Sequence, residues 1–190
     1  IIRNNIAFNN FTTPYLGFDH TDGNGIIIDD FQHTQTGGFP VYPYPTLVEN
    51  NLSYGNGGKG IQVTWSDYVT VRHNTTFGNN RDNNNSGTWR GEITNQQSSH
   101  NTFINNIAYA NPAVNANNTA LANVAYSSYV NSDIHWFNNL TFNGTPGQAS
   151  VRVDGNATAI TSAGGNILGV DPKFESPALK AGGDFRLDVG

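Results

Sequence analysis

The sequence predicts an all-β fold, a right-handed single-stranded parallel β-helix with three sheets, about seven turns and an asparagine ladder. Three observations carry that expectation. Of the 190 residues, 29 are Asn and 21 are Gly; Asn competes with the backbone for hydrogen bonds and Gly loses the most entropy on ordering, so helices are disfavoured. A phrase built on Asn-Asn, an aliphatic residue and an aromatic recurs along the chain. Short runs of alternating apolar and polar residues precede each copy, which is the period of a strand with one face buried.

The phrase appears as Asn4-Asn5-Ile6-Ala7-Phe8, then Asn50-Asn51-Leu52-Ser53-Tyr54. It returns as His73-Asn74-Thr75-Thr76-Phe77, Asn105-Asn106-Ile107-Ala108-Tyr109 and Asn138-Asn139-Leu140-Thr141-Phe142, with an echo at Gly165-Asn166-Ile167-Leu168. The second Asn steps by 46, 23, 32, 33 and 27 residues, so a unit of about 22 residues lengthened by insertions fits one coil of a solenoid, and the first step is expected to hold two. One strand of each coil lies ahead of the Asn pair, as in Leu47-Val48-Glu49 and Val69-Thr70-Val71-Arg72. A short second strand carries the aliphatic and aromatic residues. A third is read in Gly25-Ile26-Ile27-Ile28-Asp29, Gly60-Ile61-Gln62-Val63-Thr64 and Val151-Arg152-Val153-Asp154.

At a sharp corner between strands, the second Asn can hydrogen-bond its counterparts in the coils above and below, because stacked strands lie about 4.8 Å apart. Ile6, Leu52, Ile107 and Leu140 are expected to stack inside, with Phe8, Tyr54, Phe77, Tyr109 and Phe142 as an aromatic column beside them. Asn51, Asn74 and Asn139 spell glycosylation sequons, read here as buried ladder positions. Residues 11–24, 32–45, 80–88 and 112–119 are rich in Pro, Gly, Asn and Thr and are expected to be loops projecting from the stack.

The whole chain, 1–190, reads as a single domain. A net charge of −5 with nine Lys and Arg lacks the basic clustering that nucleic acid requires. No apolar run approaches the length of a membrane span. Absence of Cys excludes a disulfide framework.

Alternation in the third strand set exposes Asp29, Gln62 with Thr64, and Arg152 with Asp154. Extending it over Trp89-Arg90-Gly91-Glu92-Ile93 exposes Arg90 and Glu92. That mixed-charge face, near the aromatic loop residues Tyr42 and Tyr44, suits a polysaccharide. The acidic run around Asp22, with Asp29 and Asp30, offers hard oxygens for Ca²⁺. Lys59, on a Gly-rich bend one coil along, could serve as a catalytic base if Ca²⁺ or Arg90, its catalytic partner, lowered its pKa. The histidines show no metal-ligand spacing, and no nucleophile elbow or phosphate-cradling loop is present.

The runs 21–30 and 46–61 resemble secreted bacterial right-handed parallel β-helix proteins of the pectate-lyase-like group, most of all polysaccharide lyase family 9. The segment from Asp171-Pro172-Lys173-Phe174 to Asp184-Phe185-Arg186-Leu187 resembles the piece that closes such helices. The resemblance implies β-elimination on a uronic-acid polysaccharide outside the cell, with Asp22, Asp29 and Asp30 holding Ca²⁺ and Lys59 removing the proton. Beside this stands a second class, a non-catalytic polysaccharide-binding or cell-surface adhesion module. Because Ile2 opens a strand at once and Gly190 follows no capping helix, a fragment of a longer chain, or end-to-end or edge association with another chain, is expected.

Overall fold

Each Asn-Asn pair makes a two-residue corner. The first residue adopts the left-handed conformation, with φ of 58° at Asn4, 53° at Asn50, 53° at His73, 55° at Asn105 and 52° at Asn138, a region that Asn and His enter more readily than most residues. The second Asn turns inward. Its backbone N–H and its side-chain amide both donate to the Oδ1 of the next coil, giving a continuous column Asn5, Asn51, Asn74, Asn106, Asn139 and Asn166 with bonds of 2.9–3.1 Å. Asn51, Asn74 and Asn139 are buried in it, as their reading as ladder positions and not glycan acceptors requires.

The computed structural model describes residues 1–12, 22–35, 37–82, 91–113, 119–126 and 129–188. Around the corners the chain winds into three parallel sheets. Sheet A holds β1 (Ile2–Arg3), β4 (Thr46–Glu49), β7 (Val69–Arg72), β10 (Thr102–Ile104) and β13 (His135–Phe137). Sheet B holds β2 (Ile6–Phe8), β5 (Leu52–Tyr54), β8 (Thr75–Phe77), β11 (Ile107–Tyr109), β14 (Leu140–Phe142) and β16 (Ile167–Leu168). Sheet C holds β3 (Ile26–Asp29), β6 (Ile61–Thr64), β9 (Ile93–Gln96), β12 (Leu121–Ala125) and β15 (Val151–Gly155). The fold is a right-handed parallel β-helix, and among the described residues the one helical element is a single 3-10 turn, Ser162–Gly164. No helix among these residues is long and apolar enough to cross a membrane.

The coil count differs from expectation. Ile2 pairs directly with Val48, and Asn5 bonds Asn51, so the 46-residue step is one coil with long loops and not two. There are five complete coils and part of a sixth.

Sheet B also corrects the reading of its columns. Because the ladder Asn faces in, strict alternation turns the next residue out. The inward positions are the small Ala7, Ser53, Thr76, Ala108 and Thr141, aligned in register. The Ile6–Leu52–Ile107–Leu140 column and the aromatic column therefore lie on the outer face. The interior is filled from the other two sheets by Val48, Val71 and Phe103 of A and by Ile61, Val63, Ile93 and Leu121 of C, all fully buried. Phe103 and Trp136 stack there at 4.0 Å.

The closing segment covers that outer aromatic column. β17 (Phe174–Ser176) and β18 (Asp184–Leu187) form an antiparallel hairpin. Phe185 lies 4.9 Å from Tyr54 and 5.4 Å from Phe77, and Phe174 lies 6.1 Å from Phe77. The connecting strap passes so close that a Cβ on Gly55 would sit 2.6 Å from the Leu179 carbonyl oxygen.

Candidate functional site

The outer face of sheet C brings successive coils into register. Ile27 pairs with Gln62 and Gln62 with Thr94; Asp29 pairs with Thr64 and Thr64 with Gln96. Inward partners are Ile26, Ile28, Ile61 and Val63, so these pairs point away from the core. Where β3 and β6 meet the loops that flank them, a cleft of about 260 Å³ opens on this face. Asp22 and Asp29 line it from the first coil, and Lys59, Gln62 and Thr64 from the second. Trp65, Gln96 and Gln35 complete its walls.

Local geometry explains how Lys59 arrives there. The bend residues Asn56-Gly57-Gly58 lead into β6, and Lys59 lies level with Asn24 of the coil below: its N–H donates to Asn24 Oδ1 at 2.8 Å, and Gly25 N–H donates to the Lys59 carbonyl at 2.9 Å. The side chain is only 4% exposed yet borders the cleft. Asp29 is exposed at the other side, accepting from Gln35 Nε2 at 3.3 Å. Partial burial first, then the negative charges of Asp30 and Asp22, push its carboxyl above the usual carboxylate range.

Five residues singled out in the sequence thus share one cleft: Asp22, Asp29, Lys59, Gln62 and Thr64. Asp30 does not join them there. Its Oδ1 accepts from Thr34 N–H, Thr34 Oγ1 and Gln35 N–H at 2.6–3.0 Å, closing the turn that follows β3. Among the described residues no three His, Cys, Asp or Glu side chains group as a metal-binding set. What the cleft offers a cation is two carboxylate oxygen sources whose charges repel, a set open enough to be completed only by oxygens of a ligand.

Glu92 is a correction. Expected on the outer face, it is wholly buried, because β9 begins at Ile93 and Glu92 belongs to the corner before it, where alternation does not apply. The equivalent corner positions in the coils below are Gly25 and Gly60. A second amide ladder runs there, Asn10 to Asn56 to Asn79 at 2.7–3.0 Å, and Glu92 ends it by accepting Asn79 N–H at 2.8 Å and Asn79 Nδ2–H at 2.5 Å. Burial outweighs these two hydrogen bonds and pushes the Glu92 carboxyl up to about 8.

Arg90 lies outside the described residues. Arg152 and Asp154 do point outward from β15, paired with each other at 2.5 Å, but three coils beyond Gln62 and apart from the cleft. Tyr42 and Tyr44 are exposed on the 37–45 loop, edge to face at 5.4 Å, and do not line it. Missed from sequence were Gln96 and Trp65. Carried forward from Ile93, the alternation exposes Thr94 and Gln96; carrying it back to Trp89, ahead of the strand, is what placed Glu92 outside.

Fold and cleft together define a right-handed parallel β-helix carrying a polar, mixed-charge cleft on the outer face of one sheet. No protein-family model, curated protein or solved structure matches the chain.

Proposed function

We propose that this β-helix acts outside the cell on an acidic, uronic-acid polysaccharide, cleaving it by β-elimination in the sheet C cleft. The observation that supports this most is the convergence of Lys59 with Asp22 and Asp29, from neighbouring coils, on one cleft. A uronate bound across β3 and β6 would present its carboxylate to the acidic end and its C5–H to Lys59. In its neutral form Lys59 takes the C5 proton; the C5–H electron pair becomes the C4–C5 double bond, and the glycosidic C4–O bond breaks, its oxygen leaving to be protonated by water. Asp22 and Asp29 would hold a Ca²⁺ shared with the substrate carboxylate, whose charge stabilises the enolate-like state. Without such a cation the two aspartates would repel a uronate, so activity is expected to require it.

The test is incubation with pectate, alginate and rhamnogalacturonan, with and without Ca²⁺, following the absorbance of unsaturated products. Product formation lost in Lys59→Met supports the reading; full activity in that variant overturns it. One observation favours a second reading, a non-catalytic polysaccharide-binding or adhesion module: Tyr42 and Tyr44 present exposed rings suited to sugar faces yet stand outside the cleft. Binding without product in any condition would select it.

A further inference from the structure

The cleft is lined by two residues whose side-chain oxygens the fold leaves without a partner, and by a tryptophan. Gln62 and Thr64 are outward residues of β6, yet only 6% and 3% exposed. Gln62 Nε2 turns toward Gln96 Oε1 at 3.5 Å, which leaves Gln62 Oε1 facing elsewhere. Neither Gln62 Oε1 nor Thr64 Oγ1 has a hydrogen-bond partner among the described residues. Both residues line the cleft. Buried polar atoms of this kind are uncommon in folded proteins and weaken them, because each has lost its water without replacement.

Trp65 follows directly. It leaves β6 with φ of 42°, a backbone region that is rare for a bulky side chain. The same corner carries Asp30 at 58° one coil below and Gln97 at 43° one coil above, so the bend is a property of the coil, but a tryptophan is not what the bend requires. Trp65 lines the same cleft as Gln62 and Thr64.

We propose that Gln62, Thr64 and Trp65 form a subsite that reads the hydroxyl groups of a pyranose ring: the ring rests against Trp65, one hydroxyl donates to Gln62 Oε1, and a neighbouring hydroxyl pairs with Thr64 Oγ1. This rests on the polysaccharide reading above but not on its elimination step. An amide carbonyl, a hydroxyl and an aromatic face are neutral, so the subsite recognises sugar stereochemistry, while Asp22, Asp29 and Lys59 sense the charge.

The experiment separates these roles by measuring dissociation constants, through tryptophan fluorescence and calorimetry, for oligogalacturonide and oligomannuronate and for their carboxyl-reduced, uncharged counterparts. Thr64→Val and Gln62→Leu are each expected to weaken binding of the preferred charged oligosaccharide and of its uncharged form alike by about tenfold, the worth of one hydrogen bond. Thr64→Val should leave the melting temperature unchanged or raise it, since it removes a hydroxyl that the free protein never satisfies. Lys59→Met should change the charged probe's affinity more than the uncharged one's. Trp65→Ala should abolish the fluorescence response with the binding, whereas Trp65→Phe retains binding. Unchanged affinities for both probes in folded Thr64→Val and Gln62→Leu overturn the subsite, as does failure of the wild type to bind any of the four oligosaccharides. Intact binding with no unsaturated product overturns the elimination chemistry and leaves the subsite standing.

Discussion

Replacing Glu92 by Gln tests the second amide ladder and its acidic end. Each amide oxygen in that ladder accepts both the N–H and the Nδ2–H of the asparagine before it, whereas Glu92 divides the Asn79 donors between Oε1 and Oε2; a glutamine whose single oxygen takes both restores the pattern of the other rungs. The carboxylate accepts them at a cost. A group whose folded value is raised from 4.5 to about 8 holds its proton more tightly folded than unfolded. Its stabilising contribution is therefore fully present below pH 4.5 and disappears as pH rises toward 8. Between pH 4.5 and pH 7 the loss amounts to about 3 kcal/mol at 1.36 kcal/mol per pH unit, which corresponds to roughly 6–12 °C in Tm for a chain of this size. Calorimetric melting from pH 4.5 to 7 should show the wild-type Tm falling relative to that of Glu92→Gln, with the gap between them widening by that amount. Parallel curves for the two proteins would refute the burial-driven shift, and a uniformly lower curve for the variant would refute the substitution of one oxygen acceptor for another.

Three further outcomes follow from the fold. Asn106→Ala removes donors to Val71 O and Asn139 Oδ1 and the acceptor used by Asn74, and should cost about 1–3 kcal/mol in urea denaturation. Phe185→Ala strips the hairpin's contact with Tyr54 and Phe77 and should cost about 1–2 kcal/mol, with faster proteolysis in 169–188 and no change in the amide protection of sheet A. Produced in a glycosylating host, the folded protein should carry no glycan at Asn51, Asn74 or Asn139, as site-resolved glycopeptide mapping will show; occupancy at any of them would mean that the ladder forms later than, or not at all in, the secretory pathway.

The fold was legible because its strongest signal is local. A left-handed residue followed by an inward Asn repeats in every coil, and both the composition and the spacing carry it. Sidedness was less legible in sheet B: Ile6 and Phe8 look like core residues by hydrophobicity, and only the inward direction of Asn5 shows that they face out, where a hairpin more than 160 residues later in sequence covers the column above them. The cleft was half legible. Strand alternation placed Asp29 and Gln62, and the Gly-rich bend marked Lys59. Trp65 and Gln96 depended on where β6 and β9 end and begin. Glu92 was misplaced for the same reason. Also hidden was an interior amide chain, in which Asn101 donates to Asn95, and Asn95 and Asn131 both donate to Asn123 at 2.9 Å, since inward polar residues on β9 and β12 break the apolar alternation that sequence reading relies on.

The corner between sheets A and B holds two residues in every complete coil, whereas the corner from C to A varies from the short 65–68 segment to the long 30–45 one, and the corner from B to C from 55–60 to 9–25. Length variation is thus confined to two edges of a triangular prism, and the third acts as a fixed spine. Insertions at the variable edges leave the strand register intact, because the Asn column at the fixed corner holds successive coils level. Such a chain can acquire or exchange recognition loops around a preserved axis, and a segment such as 37–45 can be rebuilt while the spine continues to specify the stack.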